Sequence, residues 1–402
     1  MKLLSVVEAR ARMLAAVAPV AMEAAALDEA LGRVLAAPVV AGRDQPPFAA
    51  SAMDGWAVRA ADTPGILEIV GESAAGAGFG GEMTPGQAVR IFTGAPLPAG
   101  ADAVVMQEDA RREGQSVSVP ATPPERHVRA AGLDFKAGER LLETAQILDP
   151  WRLSLAAAAG AATLQVRRRP RIGVIATGPE LVAPGAEPAW DQIFNSGSTA
   201  LAALIRASGG QPMIAAPVAD DAGAIAAAAS RVAGDLLVIV GGASVGDHDL
   251  AKPALASHLG LELAVESVAV RPGKPTWFGR LGDGRPVLGL PGNPASALVC
   301  AELFLKPLIA ALLGLPTEPR LEIAATEAAL PANGPREHWM RARTWTNAEG
   351  RLRAQALADQ DSSLVKVFAS ADSLVRRAAD APAAAAGQAV EILRLRASTG
   401  SV

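Results

Sequence analysis

One stretch of the chain, residues 168–315, constrains the fold more than any other. Apolar runs rich in β-branched residues, such as RIGVIAT, PMIAAPV and DLLVIV, alternate there with helical segments such as STALAALIRASGG and AGAIAAAASRVAG. Strands read as nearly continuous apolar runs when helices cover both faces of their sheet. The alternation therefore predicts a doubly wound, mainly parallel α/β sheet, and FGRLGDGRPVLGL predicts a hairpin within it.

The remaining regions differ in their patterns of apolar residues. Residues 1–50 carry apolar residues at helical spacing from Leu3 to Leu35, and residues 141–167 again have the pattern of a helix. Short β-like runs broken by glycine fill residues 51–140, and further β-like runs fill residues 316–402. We therefore predict four domains, which are a helical/linker domain formed by 1–50 and 141–167, an inserted β-rich domain at 51–140, an α/β catalytic domain at 168–315, and a small barrel or sandwich at 316–402.

The composition bears on which partners the protein can bind and in which cellular compartment it is expected. The net charge is −4 (37 basic and 41 acidic residues) and tyrosine is absent, which argues against a nucleic-acid partner. The one cysteine, Cys300, lies in the apolar run ALVCAELFL and is predicted to be a buried core thiol, which fits a reducing cytoplasm. Glu8 interrupts the first apolar run, so we expect no secretion signal, and we expect no membrane span.

Polar residues follow each predicted strand of the α/β region, where ligands bind in open sheets. The loops and their candidate residues are TGPEL with Thr177, Gly178 and Glu180, ADD with Asp220 and Asp221, GGASVGDHD with Ser244, Asp247 and Asp249, RPGKP with Arg271 and Lys274, and PGNPAS with Asn293, Pro294 and Ser296.

These loops suit a ligand with several negative charges. Glycine loops and a helix start offer backbone N–H groups to an anion, and RPGKP adds two cations. The acidic residues Glu180, Asp220 and Asp249 would repel such a ligand unless a hard ion such as Mg²⁺ bridges them to it. The alternative is that the Asp220–Asp221 pair caps the next helix, which we prefer for Asp221. The four histidines form no zinc pattern, and no Ser-His-Asp triad is supported.

The segment SAMDGWAVR at residues 51–59 groups Ser51, Asp54 and Gly55 just after Pro46–Phe48. An Asp-Gly pair is ordinarily a turn signal. The segment has a functional meaning only if the rest of the chain supplies a site for Asp54 to face.

The whole set of motifs closely resembles the MoeA family of molybdopterin molybdenumtransferases, whose eukaryotic relatives include the E domain of gephyrin and the plant molybdenum insertase. The resemblance is colinear over nearly the whole chain and is carried by PPF..SAMDGWAVR, IFTGAPLPAGADAVVMQE, GLDFKAGERLL, VIATGPEL, NSGS, GGASVGDHD, RPGKP and GLPGNPAS.

The resemblance implies an enzyme of molybdenum cofactor biosynthesis that inserts molybdate into adenylylated molybdopterin, releasing AMP with the help of Mg²⁺. It implies a multidomain α/β and β protein with a central molybdopterin-binding domain, N-terminal helical and β-rich domains, and a C-terminal small β-barrel. It also implies an elongated homodimer, supplied by a molybdopterin adenylyltransferase, whose site joins the α/β strand ends of one subunit to the SAMDG segment of the other.

The resemblance assigns roles to individual residues. Asp54 would face the nucleotide-pterin site across the dimer, joined by Thr93 and Asp134. Glu180, Asp220 and Asp249 match acidic positions that handle Mg²⁺ and pyrophosphate. The matching molybdate, phosphate and pterin contacts are Ser244, Arg271, Lys274, Pro275, Asn293, Ser296, Arg341 and Ser362.

Three positions depart from the family pattern. Pro179 stands where the motif commonly has Asp, Arg271 where it often has Lys, and Ser267 where a lysine is often found. Two alternatives remain. A molybdopterin adenylyltransferase shares the α/β domain but is typically a single domain, and a non-catalytic scaffold like gephyrin would have no use for Asp54, Glu180 and Asp249.

Overall fold

The computed structural model describes residues 3–242 and 250–396. Its contacts divide the chain into two compact units. The larger, here the α/β–barrel unit, comprises residues 1–23, 32–34 and 167–402, and the smaller, here the inserted unit, comprises 24–31 and 35–166. Because the contacts separate only two units, the division into four domains stays a prediction.

The described residues form the following helices and strands. The helices are α1 (Val6–Leu14), α2 (Pro150–Ala158), α3 (Ser196–Ala207), α4 (Ala222–Arg231), α5 (Ala251–Leu259), α6 (Pro294–Cys300), α7 (Lys306–Leu312) and α8 (Val365–Ser370). The strands are β1 (Met22–Ala26), β2 (Val39–Val40), β3 (Ala50–Ser51), β4 (Gly55–Val58), β5 (Gly65–Ser73), β6 (Gln87–Ile91), β7 (Ala103–Met106), β8 (Arg111–Glu113), β9 (Ser116–Val119), β10 (Val128–Arg129), β11 (Arg140–Leu142), β12 (Thr163–Arg167), β13 (Arg171–Ala176), β14 (Leu181–Val182), β15 (Ile193–Phe194), β16 (Gln211–Ile214), β17 (Leu236–Val240), β18 (Glu262–Val265), β19 (Val270–Arg271), β20 (Trp277–Arg280), β21 (Pro286–Leu290), β22 (Leu321–Thr326), β23 (Glu337–Thr346), β24 (Leu352–Ala356), β25 (Ser373–Arg377) and β26 (Ala389–Arg394).

A six-stranded sheet forms the centre of the α/β–barrel unit, in the order β16-β13-β17-β21-β20-β18. The pairs β16–β13, β13–β17 and β17–β21 are parallel. The predicted hairpin joins β20 antiparallel to β21, and β18 pairs antiparallel with β20 at the edge of the sheet. Helices bury apolar side chains on both faces, so β17 is buried along its whole length. The predicted doubly wound, mainly parallel sheet is confirmed.

Five strands near the C-terminus close into a barrel in the order β22-β24-β23-β25-β26 and back to β22. Its interior is filled by small and branched residues, among them Ala342, Val375 and Ile392. Strand β19 adds to β23 from outside the ring. The predicted C-terminal small β-barrel is confirmed.

The inserted unit contains a second six-stranded sheet, β7-β4-β6-β5-β9-β8, and the helix α2. Both helices expected outside the α/β region were predicted too long. Helix α1 ends at Leu14, Pro19 follows, and residues 22–26 form a strand instead. Helix α2 begins after Asp149, whose side chain accepts a hydrogen bond from Arg152 N, and the chain leaves it through Gly160 at φ +89°.

The helical run 294–312 is long and apolar enough to cross a membrane, by length and composition alone. In the described structure 78% of it is buried inside the protein. It packs in the main core of the α/β–barrel unit, against residues such as Leu201 and Phe278. Its apolar character is therefore accounted for by core packing.

Candidate active site

The carboxyl edge of the parallel strands forms a cavity of about 830 Å³. Strands β13 and β17 end at its floor, where Thr177 and Gly241 follow them directly. The described residues that line it are Ala176, Thr177, Glu180, Leu181, Ile193, Phe194, Asn195, Ser196, Gly197, Asp220, Val240, Gly241, Gly242, Pro275, Pro291, Gly292, Asn293, Pro294, Ser363 and Val365. Four of the predicted site residues, Glu180, Asp220, Pro275 and Asn293, thus meet at one cavity.

Two carboxylates reach this cavity. Glu180 follows β13, and its carboxylate folds back over Gly178 into space that a Cβ would fill; the φ of +143° at Gly178 also favours glycine. Asp220 follows β16 after a short loop. Within residues 3–242 and 250–396, no group of three or more acidic, histidine or cysteine side chains could hold a metal. Mg²⁺ is often bound by one or two carboxylates plus substrate phosphates, so this pair fits such an ion.

The neighbouring residue Asp221 has a structural role. It occupies the position before α4 and accepts a hydrogen bond of 2.8 Å from the backbone N of Ala224. The interpretation of Asp221 as a helix cap is confirmed. The predicted residues Ser244, Asp247 and Asp249 lie outside the described residues.

Backbone N–H groups lie at the wall of the cavity beside the carboxylates. Helix α3 begins there, and Asn195 caps it by accepting a hydrogen bond of 3.1 Å from Ser198 N. Ser196 and Gly197, in the first turn, line the cavity. The N-terminus of a twelve-residue helix carries a partial positive charge and unpaired donors, which suit an anion.

The start of α6 is joined to a loop from the barrel. Asn293 occupies the cap position, but its side chain makes no capping bond; instead Nδ2 donates to Oγ of Ser362 at 2.9 Å. The backbone N of Ala295 donates to the Ser362 carbonyl oxygen at 3.1 Å. Ser296 is buried inside the first turn. The predicted residues Asn293 and Ser362 are therefore in direct contact, although 69 positions separate them.

Arg341 lies under this same loop, on the outer face of β23. Its register partner Leu374 packs in the main core, whereas the next residue, Ala342, packs in the barrel interior. Its side chain is fully buried (0% exposed), and Nη2 donates to the carbonyl oxygen of Asp361 at 3.1 Å. In the described part of the chain Nε and Nη1 have no hydrogen-bond partner. Burial lowers the pKa of the guanidinium, against the attraction of Asp359 and Asp361. Neither Arg341 nor Ser362 lines the described cavity, although Ser363, the next residue of the same loop, does.

The RPGKP turn approaches the cavity through Pro275. Gly273, at φ +118°, packs so closely on Cys300 that a Cβ there would overlap the sulfur, and Thr276 Oγ1 donates to the Gly273 carbonyl oxygen at 2.8 Å. Burial raises the pKa of the Cys300 thiol to about 12, and its prediction as a buried core thiol is confirmed. Lys274 is half-buried, and Arg271 is exposed at the edge of β19.

Sequence reasoning missed His338, which is 8% exposed next to this turn. Its strand position pairs with Arg271 of β19. Burial, together with the charges of Arg271, Arg341, Arg336 and Arg377, lowers the pKa of His338 to about 4. The gathering of these cations depends on strand pairing between distant segments, so no local pattern in HWMR could have indicated it.

Asp54 lies in the inserted unit and is held at the surface. One of its carboxylate oxygens accepts hydrogen bonds from both N and Oγ1 of Thr93, each at 2.7 Å. These two bonds, more than the nearby charge of Arg90, hold the pKa of Asp54 below its usual value. Gly55 is required because a Cβ there would overlap the carbonyl oxygen of Val105 on β7. The SAMDG turn is thus fixed by its neighbours and presents an ionised carboxylate.

Other predicted residues of this unit are less constrained. Asp134 is exposed, and its backbone N donates to the Gln45 carbonyl oxygen at 2.9 Å. Ser51 is buried and donates from Oγ to the carbonyl oxygen of Met53 at 2.5 Å, so it shapes the turn. That Asp54, Thr93 and Asp134 face the site of a partner subunit stays a prediction.

Comparisons with known proteins cover most of the chain. The family model for the MoeA N-terminal region (domain I and II) matches residues 4–160, that of a probable molybdopterin binding domain matches 173–311, and that of the MoeA C-terminal region (domain IV) matches 324–395. A molybdopterin molybdenumtransferase of Nostoc sp. is 38% identical over 77% of this chain and 74% of its own length. One from Haemophilus influenzae is 32% identical over 97% and 98%.

Solved structures agree with this match. The crystal structure of a molybdopterin biosynthesis MoeA protein from Pyrococcus horikosii has a TM-score of 0.87 at 29% identity, covering 98% of this chain and all of that one. The likeness therefore covers residues of both units. The chain belongs to the MoeA family of molybdopterin molybdenumtransferases.

Proposed function

We propose that this chain is a molybdopterin molybdenumtransferase, which inserts molybdate into adenylylated molybdopterin and releases AMP. The observation that carries the proposal is the cavity at the carboxyl edge, where Glu180, Asp220 and the N-terminus of α3 meet. A pyrophosphate-bearing substrate needs donors for its oxygens and charge neutralisation at the leaving AMP. The family relatives named above support the same activity.

The residues divide the work by charge. The first turn of α3, at Ser196 and Gly197, would bind a phosphate oxygen, and the capping bond of Asn195 keeps that turn in place. Glu180 and Asp220 would hold Mg²⁺, which when bound neutralises phosphate oxygens as the phosphoanhydride bond breaks. The protein orients its substrates, and no covalent nucleophile is needed.

Molybdate is a dianion and needs concentrated positive charge. Arg271, Lys274 and Arg341 supply that charge around the turn that ends at Pro275, and Ser296 and Ser362 supply hydroxyl donors. Within the described residues, Nε and Nη1 of Arg341 have no hydrogen-bond partner, which supports this role because these two buried charged donors are left to bind an oxyanion. The substrate's own sulfur atoms would bind the metal, which agrees with the burial of Cys300.

The experiment supplies purified protein with adenylylated molybdopterin, molybdate and Mg²⁺, and measures AMP release and the molybdenum content of the pterin. Glu180→Gln and Asp220→Asn should each slow AMP release by about two orders of magnitude. Asp221→Asn is the matched control, since asparagine also caps a helix and should keep the wild-type rate. Wild-type rates in the first two variants would contradict the proposal.

The same assay separates the alternatives. ATP-dependent adenylylation of molybdopterin would identify an adenylyltransferase. Absence of both reactions in a folded protein that binds neither substrate would favour a scaffold.

We also propose a cytoplasmic homodimer in which each site takes Asp54 and Thr93 from the partner subunit and which receives its substrate from a molybdopterin adenylyltransferase. The exposed yet rigidly held carboxylate of Asp54 supports this arrangement. Co-expressing Asp54→Ala with Glu180→Gln tests it. Random pairing of two inactive chains restores one intact site in each mixed dimer, so about a quarter of wild-type activity should return. No recovery in purified mixed dimers would place both residues in one subunit's site.

A further inference from the structure

One wall of the cavity is apolar and exposed. It consists of Leu181, Ile193, Phe194 and Val365, and the last three side chains are 57%, 47% and 41% exposed. Covering apolar surface is favourable, so a ligand with an apolar face would gain affinity here. The same cavity is also lined by polar residues, among them Thr177, Glu180 and Asp220, which implies an amphipathic ligand.

Phe194 is the one aromatic residue among the described residues that line this cavity. It lies in β15, and the short parallel ladder with β14 holds it on both sides. Ile193 N donates to the Glu180 carbonyl oxygen and Asn195 N donates to the Val182 carbonyl oxygen, each at 2.8 Å. The ring therefore stands on a fixed backbone between the acidic loop and the start of α3.

The next residue along the chain, Asn195, caps α3. An aromatic platform thus lies directly beside the helix N-terminus proposed above to bind a phosphate. Flat heteroaromatic rings stack on phenylalanine, and such stacking contributes a large share of base affinity in other proteins. Nucleotides and phosphorylated pterins join a flat ring to a phosphate through a short linker, which matches this pairing.

We infer that Phe194 is a specificity-determining residue that stacks on a heteroaromatic ring of the substrate, either adenine or pterin, while the attached phosphate binds at the N-terminus of α3. The inference rests on the proposed function and adds to it the place of the ring. It assigns Phe194 a contact that neither Glu180 nor Asp220 can make.

The chain offers a matched control on the same segment. Trp190 is 97% exposed, only four residues before Phe194, and does not line the cavity. Trp190→Ala removes an exposed aromatic ring of the same segment without touching the proposed platform. Phe194→Trp keeps an aromatic face, whereas Phe194→Ala removes it.

The experiment measures by calorimetry the binding of three probes, AMP, ribose 5-phosphate and 6-hydroxymethylpterin, to the wild type and these variants. Phe194→Ala should weaken the binding of the probe whose ring stacks there by about tenfold or more, and leave the binding of ribose 5-phosphate unchanged. Phe194→Trp and Trp190→Ala should bind like the wild type. The probe that loses affinity identifies the ring as adenine or pterin.

Three results would overturn the inference. Equal losses of AMP and ribose 5-phosphate would mean that Phe194 only supports α3, and unchanged affinity for both ring probes would mean that no ring stacks on it. Binding of neither ring probe to the wild type would exclude the platform outright. If no ring stacks on Phe194, Phe194→Ala should keep the wild-type KM and rate in the insertion assay, so the inference can fail while the proposed function stands. A wild type that is inactive in that assay would refute the proposed function itself.

Discussion

Replacing Arg341 with methionine should stabilise the fold and remove molybdate-dependent activity. The guanidinium is fully buried, with Nε and Nη1 unpartnered in the described structure. An unsatisfied buried donor costs about 1–3 kcal/mol, and more when it belongs to a charged group. Methionine has a similar length and no polar atoms, so it relieves both penalties.

Two losses offset part of that gain. The variant forfeits the bond from Nη2 to the Asp361 carbonyl oxygen, worth about 1.5–3 kcal/mol for a charged donor, and the attraction of Asp359 and Asp361. The net expectation is a gain of about 1–3 kcal/mol in unfolding free energy. At roughly 2 °C per kcal/mol for a unit of this size, the melting temperature should rise by about 2–6 °C.

The assay is calorimetric unfolding with and without molybdate, beside the insertion assay. If Arg341 helps to bind molybdate, adding molybdate should raise the melting temperature of the wild type and leave that of Arg341→Met unchanged. Arg343→Met is the control, because Arg343 is exposed two positions along the same strand and bonds only to the Ser370 carbonyl oxygen in the described structure. Its stability should change by less than about 0.5 kcal/mol. A loss of more than about 1 kcal/mol in Arg341→Met would refute the reasoning, since the guanidinium would then be a structural support.

Three further predictions concern pH and backbone geometry. Thr93→Val removes a bond that lowers the pKa of Asp54, so that pKa should rise and the acidic limb of the rate profile should move to higher pH; an unmoved limb would separate Asp54 from the rate. Folding lowers the pKa of His338 from 6.5 to about 4, so the folded protein binds fewer protons there than the unfolded chain does. The free energy of unfolding should therefore be at its full value above pH 6.5 and fall by about 3 kcal/mol as the pH drops to 4. His338→Phe should flatten that fall in urea titrations, and an equal slope would contradict the assignment. Gly55→Ala should destabilise the inserted unit by about 3 kcal/mol or more, because its Cβ meets backbone at Val105; a native-like melting curve would show that β4 can shift.

Part of the cavity could be predicted from the sequence because several of its polar residues come soon after a strand. Glu180 and Asn293 come within four residues of β13 and β21, so identifying the strands was enough to place both side chains at one edge. Asp221 was recognised as a cap for the same local reason. Where function depends on the end of a parallel strand, chain position and spatial position coincide.

Contacts between distant segments could not be predicted in this way. The burial of Arg341 and the cations around His338 arise from β23 pairing with β19 and β25, which apolar periodicity does not specify. The helices expected over 3–35 and 141–167 are present but shorter than predicted, because alanine-rich stretches fit helical spacing yet also form strands when they pair in a sheet, as in β1. Local propensity is weak evidence in such segments.

The proposed function is tested most directly by a crystal structure of the protein with AMP, Mg²⁺ and molybdate. We expect the AMP phosphate at the first turn of α3, Mg²⁺ held by Glu180 and Asp220, and molybdate within hydrogen-bond distance of Arg341 or Ser362. The proposed function would be contradicted if the nucleotide bound instead in the separate cavity of about 550 Å³ between Lys306 of α7 and Arg394 of the barrel, with the carboxyl edge of the sheet left empty.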